Sequence, residues 1–147
     1  MTILFIALAF LGGMAIAFQV GLNSELGTFL GHPLQASIVF FAIGTIALTI
    51  YSFTLDLSWP TGNSLTNIPW WAWLGGILGG FYVYITVFLA PKLGGAVVIG
   101  LAITGQVIAS LILDHYGLFG FPKNPINLWR IIGSACLILG IVLIKAN

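Results

Sequence analysis

The chain has 147 residues, enough for one domain, of which 60% are hydrophobic and 5% charged, against about 45–50% and about 25% in a soluble globular domain. Four Lys/Arg and three carboxylates cannot supply a polar surface for water, so lipid must cover most of the molecule. The net charge of +1 excludes a basic nucleic-acid face and an acidic disordered tail.

Breakers divide the sequence into five apolar runs, 3–22, 33–53, 70–90, 94–113 and 126–144. Each holds roughly 20 residues, enough for a helix to cross a hydrocarbon core of about 30 Å. None alternates in polarity as the strands of a spanning barrel would. The expected fold class is therefore all-α, an integral membrane bundle of five transmembrane helices in a single domain over 1–147.

The first run contains Ala15-Ile16-Ala17, which has the form of a signal-peptide cleavage site. No Lys or Arg precedes it, and it leads directly into further spans, so a retained helix is expected. Gln19 and Asn23 lie four residues apart on its surface, on the same face as Gly12 and Ala15. Glu25 and His32 flank a short loop and read as solvated. Pro33, Pro69 and Pro125 stand at the start of three runs, where a missing N–H costs least. Thr45 and Thr49 can return their hydroxyls to the helix backbone.

Segments 54–68 and 114–125 are rich in Asn, Pro and Gly and read as the two long loops. Trp59, Trp70, Trp71 and Trp73 gather before the third run, as an interfacial belt or, alternatively, as a stacking surface for a substrate. Gly75/Gly79 and Gly76/Gly80 form two small-xxx-small pairs that admit another helix closely. Pro91 and Gly94-Gly95 break the third run from the fourth and predict a tight antiparallel hairpin. On the fourth run Gln106, Ser110 and Asp114 repeat at four-residue spacing, a polar stripe from mid-membrane to one interface. Gly133 and Gly140, seven apart, mark a face of the last helix that can pack against its own copy. Cys136 sits in an apolar run, forms no internal disulfide and reads as an inert small residue.

Polar groups inside lipid are costly. The amides of Gln19, Asn23 and Gln106 either bind a solute or hydrogen-bond a neighbouring helix. Asp114 faces the negative end of its helix dipole and calls for a cation, with Arg130 preferred to Lys123; a solvated interfacial Asp is the alternative. With alternating helices, Lys123 and Arg130 share one side while Lys92 and Lys145 share the other. Two against two sets no orientation. Either small numbers tie, or the chain inserts both ways. No nucleophile–base–orienter set, metal cluster or phosphate loop is legible, so neither an enzyme nor a cofactor nor a metal site is expected.

The stretch Gln19-Val-Gly-Leu-Asn23, then Gly31-His-Pro33-Leu-Gln-Ala36, resembles the opening of the YdcZ-like five-helix family of the drug/metabolite transporter superfamily. The likeness continues through Trp71-Ala-Trp73-Leu-Gly75-Gly76 with Gly79-Gly80, and through Pro91-Lys-Leu-Gly94-Gly95. It extends over Gly105-Gln106, Ser110 and Asp114-His115-Tyr-Gly117 to Arg130-Ile-Ile-Gly133 and Gly140. The segment from Gln106 to Gly117 is its most specific part. The resemblance implies half of a ten-helix inverted-repeat transporter, which works as two chains, identical or close paralogues, inverted with respect to each other in the cell membrane.

One departure from related small multidrug exporters stands out, because those carry a Glu in the middle of the first helix. Here only apolar and small residues lie at that depth, which argues against cation–proton antiport and for a neutral or zwitterionic solute. The expected function is transport of a small solute by alternating access. Gln19, Asn23 and Gln106 would line a central cavity closed by Trp71 or Tyr82, with Asp114 and Arg130 outside it as a gating or structural pair. Gly133 and Gly140 would form the dimer contact. The alternatives are a non-transporting membrane subunit or assembly protein acting through its glycine-rich faces and, less favoured, a membrane enzyme or channel.

Overall fold

The computed structural model describes residues 2–55, 57 and 62–146. Among these, every regular element is helical: α1 (Thr2–Leu30), α2 (Pro33–Thr54), the single turn α3 (Gly62–Leu65), α4 (Leu74–Leu93), α5 (Gly95–Tyr116) and α6 (Leu128–Lys145). A 3-10 turn, Trp70–Trp73, runs directly into α4, and the two together form one 24-residue span. With α1, α2, α5 and α6 this makes five helices long and apolar enough to cross a membrane. The fold class read from the sequence is the one observed.

The largest correction falls on the first helix, which continues eight residues past the expected end at 22, to Leu30. Asn23-Ser24-Glu25 has the composition of a loop, but nothing there forces the backbone out of the helix. Thr28 Oγ1 donates to the Ser24 carbonyl (3.3 Å) from within the helix. Gly27 is buried, and a Cβ built there would meet Pro33 Cα and Val87 Cγ1 at 3.5 Å. Continuing the helix places this close contact. The turn comes only at Gly31 (φ +85), a conformation that glycine adopts without steric cost. Glu25 therefore stands on the exposed surface of α1 and does not flank a loop.

His32 begins the next helix, its Nδ1 accepting from the Leu34 N–H (3.1 Å), with Pro33 as first residue. Hydroxyls inside α2 and α4 are returned to the backbone. Thr49 donates to the Thr45 carbonyl (2.8 Å) and Thr86 to that of Val83 (2.9 Å). Pro91 does not end its helix as expected, because α4 runs on to Leu93 and the break falls at Gly94 (φ +85). The segment 54–68 was expected to be irregular and holds the turn α3. Trp59 lies outside the described residues, while Trp70, Trp71 and Trp73 share the 3-10 turn and are exposed.

The chain comprises two compact units, Met1–Pro91 and Lys92–Asn147. The core of the first is Ala36, Val83 and Val87, with Leu26, Phe40 and Tyr82 packed around it. In the second, α5 and α6 meet at Gly100, where an ideal Cβ would lie 1.8 Å from Ile141 Cδ1. Only backbone and hydrogen fit there. Of the most apolar window of each span, at most 17% is buried within the chain, and none in α6. Lipid or another chain must cover the rest.

Candidate functional site

On α1, residues 15, 19, 22 and 26 recur at helical spacing and so share one face. This face and α2 border a cavity of about 510 Å³, lined by Ala15, Phe18, Leu22 and Leu26 of α1 and Phe40 and Ile43 of α2, together with Gln19 and Asn23. The walls are apolar apart from the two carboxamides. Asn23 retains 6% of its surface. Its Nδ2 and the Nε2 of Gln19 are buried without a hydrogen-bond partner. Each such donor costs about 1–3 kcal/mol relative to a satisfied one. Two such donors, on adjacent turns of one helix, have no acceptor among the described residues.

Gln106, the third expected amide, belongs to the second unit and is exposed midway along α5. A carboxamide facing lipid at that depth would lose its hydrogen bonds to water without replacement. Two residues earlier on the same helix, Thr104 Oγ1 is buried and unpartnered, a polar group that sequence reasoning passed over because Thr usually bonds its own helix.

Asp114 and Arg130 form an ion pair, Arg130 Nη2 donating to Asp114 Oδ2, with the Arg and Asp side chains 28% and 18% exposed. The pair is the centre of a clasp. Arg130 Nη1 donates to the Asn124 carbonyl (2.7 Å), and the Asn124 N–H donates to the Asp114 carbonyl (2.8 Å). The Ile126 N–H donates to His115 Nδ1 (3.1 Å), while Asn127 Oδ1 caps α6 by accepting from the Arg130 N–H (3.0 Å). Gly117 (φ +67) ends α5 and gives its N–H to the Asp114 carbonyl (3.3 Å). Each charge alone sits at the unfavourable end of its helix dipole, the carboxylate at a C-terminus and the guanidinium at an N-terminus. Together they neutralise one another. Asn124 and Asn127 were not singled out from the sequence, and His115 only as part of the Asp114–Gly117 motif, although Asn127, three residues before Arg130, has the spacing of an N-cap.

A shallow cavity of about 350 Å³ lies beside the clasp, lined among others by Ser110, Asp114, Arg130, Gly133 and Ser134. Gly133 and Gly140 have no atom within 4 Å of an added Cβ, so their face of α6 is open within the chain. Tyr82 packs on the Ala36–Val83–Val87 core, Trp71 is 46% exposed in the 3-10 turn, and neither lines the α1–α2 cavity. The structure thus brings Gln19 to Asn23 and Asp114 to Arg130.

Residues 4–143 match the family described as "Putative inner membrane exporter, YdcZ". Over 79 residues the chain is 28% identical to the inner membrane protein YdcZ of Escherichia coli (strain K12). That likeness covers 54% of this chain and 52% of the relative, so the chain spans about half the length of the curated relative that it matches. No solved structure matches it.

Proposed function

The chain belongs to the YdcZ family of inner membrane proteins, and on that premise we propose that it carries a small neutral or zwitterionic solute across the cell membrane. The working unit is two chains, inverted with respect to one another, that alternate access to a cavity between them. Gln19, Asn23 and Gln106 line that cavity, and Asp114 with Arg130 stabilises the loop beside it. Gly133 and Gly140 provide the contact with the second copy.

The observation that carries this reading is the exposure of Gln106 halfway along an apolar 22-residue helix. Lipid cannot satisfy an amide at that depth, whereas a water-filled cavity or a second chain can. The even division of four Lys/Arg across the alternating loops supports inversion, because neither orientation is favoured.

Orientation is the decisive measurement, and it needs no substrate. A tag placed after Asn147 should be found on both sides of the membrane in intact cells. A tag found on one side only would remove the inverted homodimer and leave a partner paralogue or the assembly-protein reading.

A further inference from the structure

We propose that His115 is a proton-operated latch on the loop between the last two spans: the neutral imidazole holds residues 117–127 closed, and the imidazolium releases them. The latch stands on its own geometry, while its use in transport rests on the inverted pair of chains proposed for that function.

The loop joins α5 to α6 and contains Pro122 and Pro125, which have no N–H to give. Beyond Phe121 its backbone is tied to α5 at few points. The Asn124 N–H donates to the Asp114 carbonyl (2.8 Å), and the Ile126 N–H donates to His115 Nδ1 (3.1 Å). That second bond joins residues 11 apart and is the last before the Asn127 cap starts α6. An imidazole nitrogen accepts only when it carries no proton, so Nδ1 is bare and the neutral ring holds its proton at Nε2. Turning the ring over would place a carbon against the Ile126 N–H and leave that donor unpaired. The other ties are backbone groups, the Asn127 carboxamide and the Asp114–Arg130 pair. Among them the imidazole is the one group of a type that ordinarily changes charge between about pH 5 and about pH 8.

A proton on Nδ1 sets donor against donor and breaks the bond. The imidazolium has a competing position, because His115 lies in the last turn of α5, whose carbonyls attract a cation. The charged and titratable groups around it are Asp114 and Tyr116 on α5, Lys123 in the loop and Arg130 on α6. Asp114 is already held by Arg130, and the Tyr116 ring stands edge-on to the imidazole at 4.8 Å. Releasing Ile126 loosens the segment whose Asn124 carbonyl accepts from Arg130 Nη1 (2.7 Å), and with it the setting of Arg130 in the wall of the cavity beside the clasp. In an inverted pair the two loops face opposite compartments, so a pH difference across the membrane frees one loop and holds the other.

The full chain in lipid nanodiscs tests the latch without a substrate. Amide hydrogen exchange at Ile126, expressed as protection relative to the free-peptide rate, is read at about pH 8 and about pH 5 together with the 15N signals of the imidazole. Protection should fall roughly five-fold on acidification, the loss expected of one hydrogen bond, and the neutral ring should carry its proton on Nε2. His115→Asn keeps an acceptor oxygen close to the place of Nδ1 and cannot titrate, so protection should persist at both pH values. His115→Leu should lack it at both. His32→Asn should leave the response intact, which separates it from the other imidazole, bonded at Nδ1 to the Leu34 N–H. Protection that ignores pH, an equal fall in His115→Asn, no fall in His32→Asn, or a neutral ring protonated at Nδ1 would overturn the proposal. The 15N reading uses the unaltered chain and decides the matter where a substitution fails to fold. If the latch responds while every chain has one orientation, the latch stands and the inverted pair fails. If both orientations occur and Ile126 ignores pH, the latch fails and inversion stands.

Discussion

Replacing Arg130 with Gln removes the guanidinium from the clasp while keeping a polar side chain at the start of α6. Two contacts are lost, the ion pair with Asp114 and the 2.7 Å bond to the Asn124 carbonyl. Exposed ion pairs contribute about 0–1 kcal/mol and removing one partner of a fully buried pair costs about 3–5 kcal/mol. With the two side chains 28% and 18% exposed, this pair lies between those limits, nearer the middle than either end. The expected loss is about 2 kcal/mol, or roughly a thirty-fold shift of the folding equilibrium. Part of it arises because Asp114 would be left alone at the negative end of the α5 dipole. For that reason Asp114→Asn should cost less, about 1 kcal/mol, and should relieve some of the damage of Arg130→Gln. Equilibrium unfolding in mixed micelles, run as a double-mutant cycle, should give a coupling of about 1 kcal/mol or more. Additive effects, or a loss below about 0.5 kcal/mol for Arg130→Gln, would refute the reasoning and leave the clasp to its backbone hydrogen bonds.

Gly140→Leu should lower dimer yield in crosslinking while leaving the monomer folded, because its Cβ meets nothing within the chain; an unchanged yield would move the dimer contact elsewhere. Gly117→Ala must hold a side chain at φ +67 with Lys123 Cβ 3.3 Å away, which should destabilise the α5 terminus by about 1–3 kcal/mol, read as faster proteolysis of the 117–127 loop. Gln106→Ala should abolish transport in proteoliposomes with insertion and dimer yield intact, because water replaces an amide lost from a cavity. A loss of about 0.6 kcal/mol in stability with activity retained would instead identify Gln106 as a helix-to-helix bond.

Much of the architecture is legible because lipid imposes it. Five apolar runs of spanning length leave little choice but helices, and Pro33 and Gly94 mark boundaries that the backbone respects. The end of α1 is not legible, because Asn23-Ser24-Glu25 has the composition of a loop, and only packing at Gly27 reveals why the helix continues. Pro91 misleads in the opposite direction, since a proline so near a helix end breaks little of the ladder. The Asp114–Arg130 pairing can be read from sidedness and the helix dipole. Its surroundings cannot, because Asn124 enters through backbone groups and His115 through a loop N–H, neither of which leaves a spacing signal. Gln19 and Asn23 announce a shared face, but their unpartnered nitrogens depend on what α2 places opposite them, namely Phe40 and Ile43 and no acceptor.

The length of α1 ties the amide pair to the bilayer itself. Twenty-nine residues make a rod of about 43 Å, some 13 Å longer than a typical hydrocarbon core. The excess must be taken up as projection beyond the acyl chains or as tilt. Standing upright from Thr2 at one boundary, the helix would carry Asn23 to the opposite boundary, about 32 Å away and in contact with water. Tilted by about 45° until Leu30 reaches that boundary, it would hold Asn23 about 8 Å and Gln19 about 12 Å inside the hydrocarbon. Tilt thus sets how deep the two carboxamides lie, and through it membrane thickness acts on the polarity of their surroundings.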